Sequence, residues 1–512
     1  MTLSLTDLGY RYPRGEHPAL RDVRARVSPG ERVLVTGPSG GGKSTLVRLI
    51  AGLTQRHGAG QVSGEVRLGQ DCVAALTPAQ RVQRLGFVGQ EPGVQVVTGS
   101  LRDEVAMGPE SACWSVERVR ARVAELLAAH LPGVDPDRDP MALSGGQQQR
   151  VAVAAGVAAG APLLVLDEPL AQLDPVAAQA LLAALHALSD EGIAVILVEH
   201  RLEACFAWAT RLWLVEDGAL CWDGPAATMT AARLRQARLL VPEQLLLDEA
   251  ASAKGERWEA LEDRAGTSPQ RAAPAALGPL LMAHEGLVWR AGEREVLHGV
   301  DVRLHARERV AVLGANGAGK SSLLAALAQV EPRCLLVPQD PDLSLFCATV
   351  GEELRYGPLE QGLSDVQERV DAVLAALRLT EVRERSPQAL SRGQRLRVAV
   401  GAALCCAPDV LLLDEPTSGQ DLDAVEGMME LLGELLGERI LVFATHDVGL
   451  ALRHATTVWV VDEGRLLASG PPLTILGALP TSIPLRLGPI ASACVARGWP
   501  LCDAATLVER LR

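Results

Sequence analysis

Lysine is almost missing from this chain of 512 residues: only Lys43, Lys254 and Lys320 occur among 49 lysines and arginines. Aromatic side chains are scarce too, at 3%, which disfavours the stacking platforms that hold single-stranded nucleic acid. Positive charge is not in excess. Sixty-two carboxylates (Asp+Glu 62) leave a net charge of −13, the opposite of the basic footprint of a nucleic-acid binder, so no nucleic-acid partner is expected. Ten cysteines are scattered without a C-x-x-C pair or metal-type spacing, and Cys405-Cys406 reads as core in an apolar run. That usage fits a reducing compartment. No apolar run is long enough for a membrane helix. Val151 to Leu166 is broken by Gly156, Gly160 and Pro162 and ends at Asp167-Glu168, short of the roughly 20 residues required. The start, Met1-Thr-Leu-Ser-Leu-Thr-Asp7, lacks the basic and apolar regions of a signal peptide. If the protein works at a membrane, the spanning partner is expected to be another chain.

Two of the three lysines stand at equivalent places in a repeat. Gly37-Pro38-Ser39-Gly40-Gly41-Gly42-Lys43-Ser44-Thr45 and Gly314-Ala315-Asn316-Gly317-Ala318-Gly319-Lys320-Ser321-Ser322 both fit G-x-x-x-x-G-K-[ST]. Each follows an apolar run that reads as a buried strand, Arg32 to Thr36 and Arg309 to Leu313. Each precedes a helical pattern, Leu46 to Ala51 and Leu323 to Ala328. Strand, glycine turn and helix are the context in which this pattern holds a nucleotide. Glycines let backbone N–H groups close around an anion, and the helix N-terminus adds unpaired donors and partial positive charge. Lys43 and Lys320 are placed to reach the β- and γ-phosphates of a nucleotide, Ser44 and Ser321 to ligate Mg²⁺. A compact ammonium suits such a cradle better than a planar guanidinium, and an arginine-biased chain keeps lysine at both positions.

The length allows three or four ordinary domains, but the repeat points to two large units. Residues 1–36 read as strands with turns at Pro13-Arg-Gly15 and Ser28-Pro-Gly30. Tyr12 and Trp289 precede Gly37 and Gly314 by the same offset, an aromatic pair suited to stacking on adenine. Gly86-Phe-Val-Gly-Gln90 is a strand ending in glutamine, and Val116 to His130 is helical. Leu143-Ser144-Gly145-Gly146-Gln147 opens an alanine- and valine-rich helix, a second anion cradle. Leu163 to Leu166 is an apolar strand ending in Asp167, a Mg²⁺ partner, and Glu168, a base or water-positioner. Another buried strand ends at His200. The order recurs as Trp289, Lys320, Gln339, Ser391-Arg392-Gly393-Gln394, Asp414-Glu415, Asp421 and His446, with equal separation from Ser144 to Asp167 and from Ser391 to Asp414. Only the stretch between phosphate loop and glutamine is shorter in the second copy, by about the length of Ser63–Arg84, read as peripheral strands and a helix. Between them Pro225 to Leu280 is charge-balanced, partly helical from Met229 to Leu247 and then a tether.

This ordered set resembles the nucleotide-binding subunit of ABC-type ATPases, in two copies over nearly the whole chain. The resemblance implies an α/β fold of two P-loop NTPase domains. Each is a mixed-sheet core with a helical subdomain and an antiparallel β subdomain, the latter reduced in the second copy. It implies domains at 1–240 and 279–470, a linker at 241–278 and a C-terminal extension at 471–512 with a helix around Ile490 to Arg497. In that family Gln90 and Gln339 sense the γ-phosphate and Mg²⁺, Ser144 to Gln147 and Ser391 to Gln394 are signatures, Asp174 is the D-loop residue, and His200 and His446 are switch histidines. Two cassettes face head to tail. Site one would then combine Tyr12, Lys43, Ser44, Gln90, Asp167, Glu168 and His200 with Ser391 to Gln394. Site two would combine Trp289, Lys320, Ser321, Gln339, Asp414, Glu415 and His446 with Ser144 to Gln147. Fusion on one chain raises their effective concentration. Arg392 stands where its twin has Gly145, so hydrolysis is expected at both sites and slower at site one.

The text around Gln90, Glu-Pro-x-x-Gln95 and Asp103-Glu-Val-Ala-Met-Gly108, is most similar to energy-coupling-factor importers of vitamins and transition-metal ions. That resemblance implies a peripheral protein on the cytoplasmic face of the membrane. Its partners would be an energy-coupling transmembrane protein and a substrate-binding membrane subunit. Alternatives are a soluble twin-cassette factor acting on ribosomes, which would want a long basic linker; a tandem sugar-import ATPase, whose text after the glutamine differs; and a DNA-repair or chromosome-type ATPase, disfavoured by acidity.

Overall fold

The computed structural model describes the chain apart from residues 1, 14–16, 39, 55–59, 91, 172, 201, 257, 259–260, 262–277, 293, 418–421, 480–484, 486, 498, 500–501, 503 and 512. Ser39, Asp421 and much of the expected tether therefore lie outside the described residues. The chain divides into two compact units, Met1–Leu246 and Leu247–Arg512.

In the first unit a six-stranded sheet runs in the order Ala219–Pro225, Arg211–Glu216, Arg32–Thr36, Ala194–Val198, Leu163–Asp167, Gly86–Val88. All neighbours are parallel except the first pair. The central strands are apolar throughout because both faces are covered. Val33 and Val35 face one core with Leu46 and Ile50 of the phosphate-loop helix, while Leu34 joins the core of the helical side with Leu164, Leu197 and Leu212. A second, antiparallel sheet, Leu20–Val27, Leu3–Arg11, Gln61–Leu68, Asp71–Cys72, closes the first core. Its strand Leu20–Val27 is buried at alternating positions near its end, as one covered face dictates.

The second unit repeats the central sheet in the order Cys334–Val337, Val410–Asp414, Ile440–Thr445, Arg309–Leu313, Thr457–Asp462, Arg465–Gly470. Its antiparallel sheet has two strands, Leu280–Ala291 and Arg294–His305. The chain passes from helix Lys320–Val330 almost directly into strand Cys334–Val337. In the first unit the same path carries Gln61–Leu68, Asp71–Cys72 and helix Pro78–Val82, the peripheral elements that the shorter second copy was expected to lack. The nucleotide-facing strands are intact.

Two local expectations change, and one in the tail holds. The phosphate-loop helices begin at Lys43 and Lys320, earlier than the apolar periodicity shows. The single helix expected over Met229 to Leu247 is two, Ala231–Gln236 and Glu243–Ala253. Arg238 takes the left-handed conformation (φ 56), and Pro242 cannot continue a hydrogen-bonded helix from before it. In the tail the expected helix is Pro489–Arg497, flanked by Pro472–Ala478 and Ala504–Leu511.

Candidate functional site

Each phosphate loop is folded around its own lysine. Lys43 Nζ donates to the carbonyls of Gly37 and Pro38, both at 2.8 Å. Lys320 Nζ donates to Gly314 at 2.9 Å and Ala315 at 3.1 Å. Both side chains are buried. The loop backbone demands glycine where it enters the helix: Gly42 and Gly319 cap it at φ 104 and 106, which side chains rarely adopt. At the strand end a Cβ on Gly37 would lie 2.0 Å from the Val215 carbonyl, and one on Gly314 would lie 2.3 Å from that of Val461. Burial pushes Lys43 down to about 8, against the pull of Glu168 and Asp167. A buried cation disfavoured in this way is stabilised by an arriving polyanion, which supplies the charge partner that burial removed.

The helices then place a hydroxyl against the strand-end acid. Ser44 Oγ donates to Asp167 Oδ1 at 3.1 Å, and Ser321 Oγ to Asp414 Oδ1 at 3.0 Å. Burial raises both aspartates, opposed by those serine bonds. A buried carboxylate beside a hydroxyl is a hard-oxygen pair of the kind Mg²⁺ takes, and a divalent cation would offset the cost of keeping the carboxylate charged there. These residues fit the ion.

The next residue in each unit is strained. Glu168 and Glu415 have φ 52 and 46, a left-handed conformation costly for a side chain of this size. The turn aims each carboxylate at the histidine that ends the neighbouring strand. Glu168 Oε1 lies 2.8 Å from His200 Nε2, and its Oε2 accepts from Gln90 Nε2 at 3.0 Å. Glu415 Oε2 lies 3.0 Å from His446 Nδ1, with Lys320 Nζ 3.5 Å from its Oε1. Burial alone would raise both glutamates, but the histidine bonds and the lysine charges outweigh it and hold both below the usual carboxylate range. An ionised carboxylate held by histidine can accept a proton from, or orient, a nucleophilic water.

In the first unit Lys43, Ser44, Gln90, Asp167, Glu168 and His200 thus meet. In the second, Lys320, Ser321, Asp414, Glu415 and His446 meet, with Gln339 just beyond strand Cys334–Val337. The aromatic pair is placed unequally. Tyr12 bonds Thr45 Oγ1 at 3.0 Å and stands edge-on to Tyr10 with much of its ring exposed, whereas Trp289 packs half-buried against the core of its unit. Asp174 caps helix Pro175–Asp190 through the Ala177 amide. The signatures are helix starts. Ser144 with Gln147, and Ser391 with Gln394, each form a reciprocal capping box, which explains the serine–glutamine spacing locally. Gly145 is not explained locally: a Cβ there meets nothing within 4 Å.

A duplicated glutamate escapes sequence reading. Buried Glu104 accepts from the amides of Val97 and Thr98, both at 3.1 Å, and from the Thr98 hydroxyl at 2.8 Å. Buried Glu353 accepts from the amides of Phe346 and Cys347 at 2.9 and 2.7 Å. Each ties the segment after the glutamine loop to the helix that follows. The sequence carries Glu104 inside the stretch Asp103 to Gly108 without revealing its bonds, and Glu104 and Glu353 share an offset to Gly108-Pro109 and Gly357-Pro358.

The profile of the family described as ABC transporter matches residues 20–171 and 297–418. The chain belongs to the ABC transporter family. It is 32% identical, over 91% of its length and 84% of the relative's, to a putative ABC transporter ATP-binding protein of Methanosarcina acetivorans. With a protein of the same description from Streptomyces avermitilis it shares 33% over 93% and 95%. Among solved structures, one of ribosome-bound archaeal Pelota and ABCE1 covers 92% of this chain and 79% of that one, with a TM-score of 0.59 at 21% identity, a likeness of fold. As a two-cassette ABC ATP-binding protein the chain is an ATPase whose cofactors are ATP and Mg²⁺.

Proposed function

We propose that this ABC protein is the ATP-hydrolysing subunit of an energy-coupling-factor type importer, on the cytoplasmic face of a membrane, driving uptake of a vitamin or transition-metal ion through separate membrane subunits. The observation that carries it is a mechanical link from Gln90 to an open cavity. Gln90 bonds the Glu168 carboxylate, the group we assign to water activation, and Glu104 ties the segment after it to helix Leu101–Ser111. That helix lines a cavity of about 480 Å³ with an apolar floor of Ala106, Val119, Val123, Leu127 and Leu131. Movement of the glutamine loop on hydrolysis would thereby reach a surface fit for an apolar helix of a membrane subunit. No helix among the described residues is long and apolar enough to cross a membrane, so the spanning part is assigned to partners.

Within each turnover, Lys43 and Lys320 hold the phosphates, Ser44 with Asp167 and Ser321 with Asp414 hold Mg²⁺, and Glu168 and Glu415 orient water. Positioning and charge stabilisation dominate phosphoryl transfer. We assign the signatures to closing each site from the other cassette; the open surroundings of Gly145 support this, since its own unit does not require glycine there. Affinity purification of the tagged full chain from membranes of its source tests the reading. Recovery of integral membrane proteins, with ATPase activity dependent on them, is expected; recovery of ribosomes instead would overturn it in favour of a translation-type twin cassette.

A further inference from the structure

The two cassettes differ at one buried pair next to the catalytic acids. After Asp167-Glu168-Pro169 the first has Leu170, and before His200 it has Glu199; the second has Thr417 and Thr445 at these places. Glu199 is 2% exposed, and its Oε1 accepts from the Leu170 amide at 2.7 Å. In both units the strained glutamate is anchored on one side by its own amide, Glu168 to the Val198 carbonyl and Glu415 to that of Ala444, each at 3.0 Å. On the other side the first unit turns tightly, with Ala171 bonded back to Glu168 and Leu173 to Leu170. Thr445 instead turns its hydroxyl to the Asp447 amide.

A buried amide needs an acceptor, and a carboxylate makes a stronger one than a neutral oxygen. We propose that Glu199 is a positioning residue of the first ATP site: its bond to the Leu170 amide clamps the backbone leaving Glu168, keeping that carboxylate between His200 Nε2 and Gln90 Nε2. The second unit has threonines, not a carboxylate, at the matching positions, and Thr445 accepts from the Asp447 amide, so we assign the carboxylate clamp to the first site. The proposal rests on Glu168 being the catalytic acid of its cassette.

The test uses the full chain carrying Glu415→Gln, so that turnover reports the first site. Adding Glu199→Leu is expected to lower kcat about 10²-fold, the scale for a small misplacement of a reacting group, with KM within about twofold. Glu199→Gln, whose amide oxygen still accepts, restores most of that loss. In a Glu168→Gln background, Glu199→Leu leaves second-site turnover unchanged. Amide exchange at Leu170 in the nucleotide-free protein, which does not depend on activity, is expected to quicken at least tenfold in Glu199→Leu. Unchanged exchange, an undiminished kcat, or a Gln variant as slow as the Leu variant overturns the clamp. Hydrolysis by the Glu168→Gln, Glu415→Gln double variant at more than roughly a hundredth of the unmodified rate would instead overturn the catalytic assignment beneath it.

Discussion

Lys43 carries its charge at a cost that the fold imposes and a nucleotide relieves. Its folded value near 8 lies below the 10.5 of an exposed lysine, so below pH 8 the buried ammonium opposes folding. Between about pH 8 and 10.5 the unfolded chain holds a proton that the folded chain has lost, and stability from this group rises with pH. Binding runs the other way. Phosphates favour the charged form, so ATP binding above pH 8 takes up a proton. We expect affinity at the first site to fall roughly tenfold per unit of pH above 8, read by calorimetry in buffers of different ionisation enthalpy. At the acids, Glu168→Gln and Glu415→Gln should each cost the affected site roughly 10²–10⁴ in rate, the range for a general base. With Arg392 in one signature, Glu168→Gln should lower total turnover less than Glu415→Gln. Equal losses would remove the asymmetry.

At the scale of elements, the signature helices separate a folding role from a functional one. Ser144 and Gln147 are needed by the helix start; Gly145 is not, because a Cβ there is unopposed. Gly145→Ala is therefore expected to leave stability unchanged or raise it by about 0.4–1 kcal/mol, while slowing hydrolysis. Thermal melts and steady-state turnover on one preparation check both halves. Glu104 and Glu353 behave oppositely. Replacing either with alanine strips two partly buried backbone amides of their acceptor, at about 1–2 kcal/mol each, the lower part of the range for an unpaired group. A denaturation midpoint should show a loss of roughly 2–4 kcal/mol, with the partner's stimulation of ATPase weakened even where basal hydrolysis survives.

Across the whole molecule, duplication made most of the fold legible. Glycines at left-handed turns, capping boxes and buried parallel strands follow from local backbone chemistry, so they announce themselves twice in one sequence. The shortened second half also showed in the spacing, and the structure finds no counterpart to Gln61–Leu68 and Asp71–Cys72 among its described residues. The reversal at Arg238 was not legible, because helical periodicity continues across it, although Pro242 just beyond it already marks where one helix cannot run through. By itself the sequence determined that there are two phosphate loops, which lysines, serines and acids serve them, and in what order the strands are written. Only the tertiary structure decided that Glu168 bends to meet His200 and Gln90, that Glu199 grips Leu170, and that Glu104 binds the loop beyond Gln90. Those contacts join residues from different strands and loops, and strand order in space, not separation along the chain, brings such groups within bonding distance.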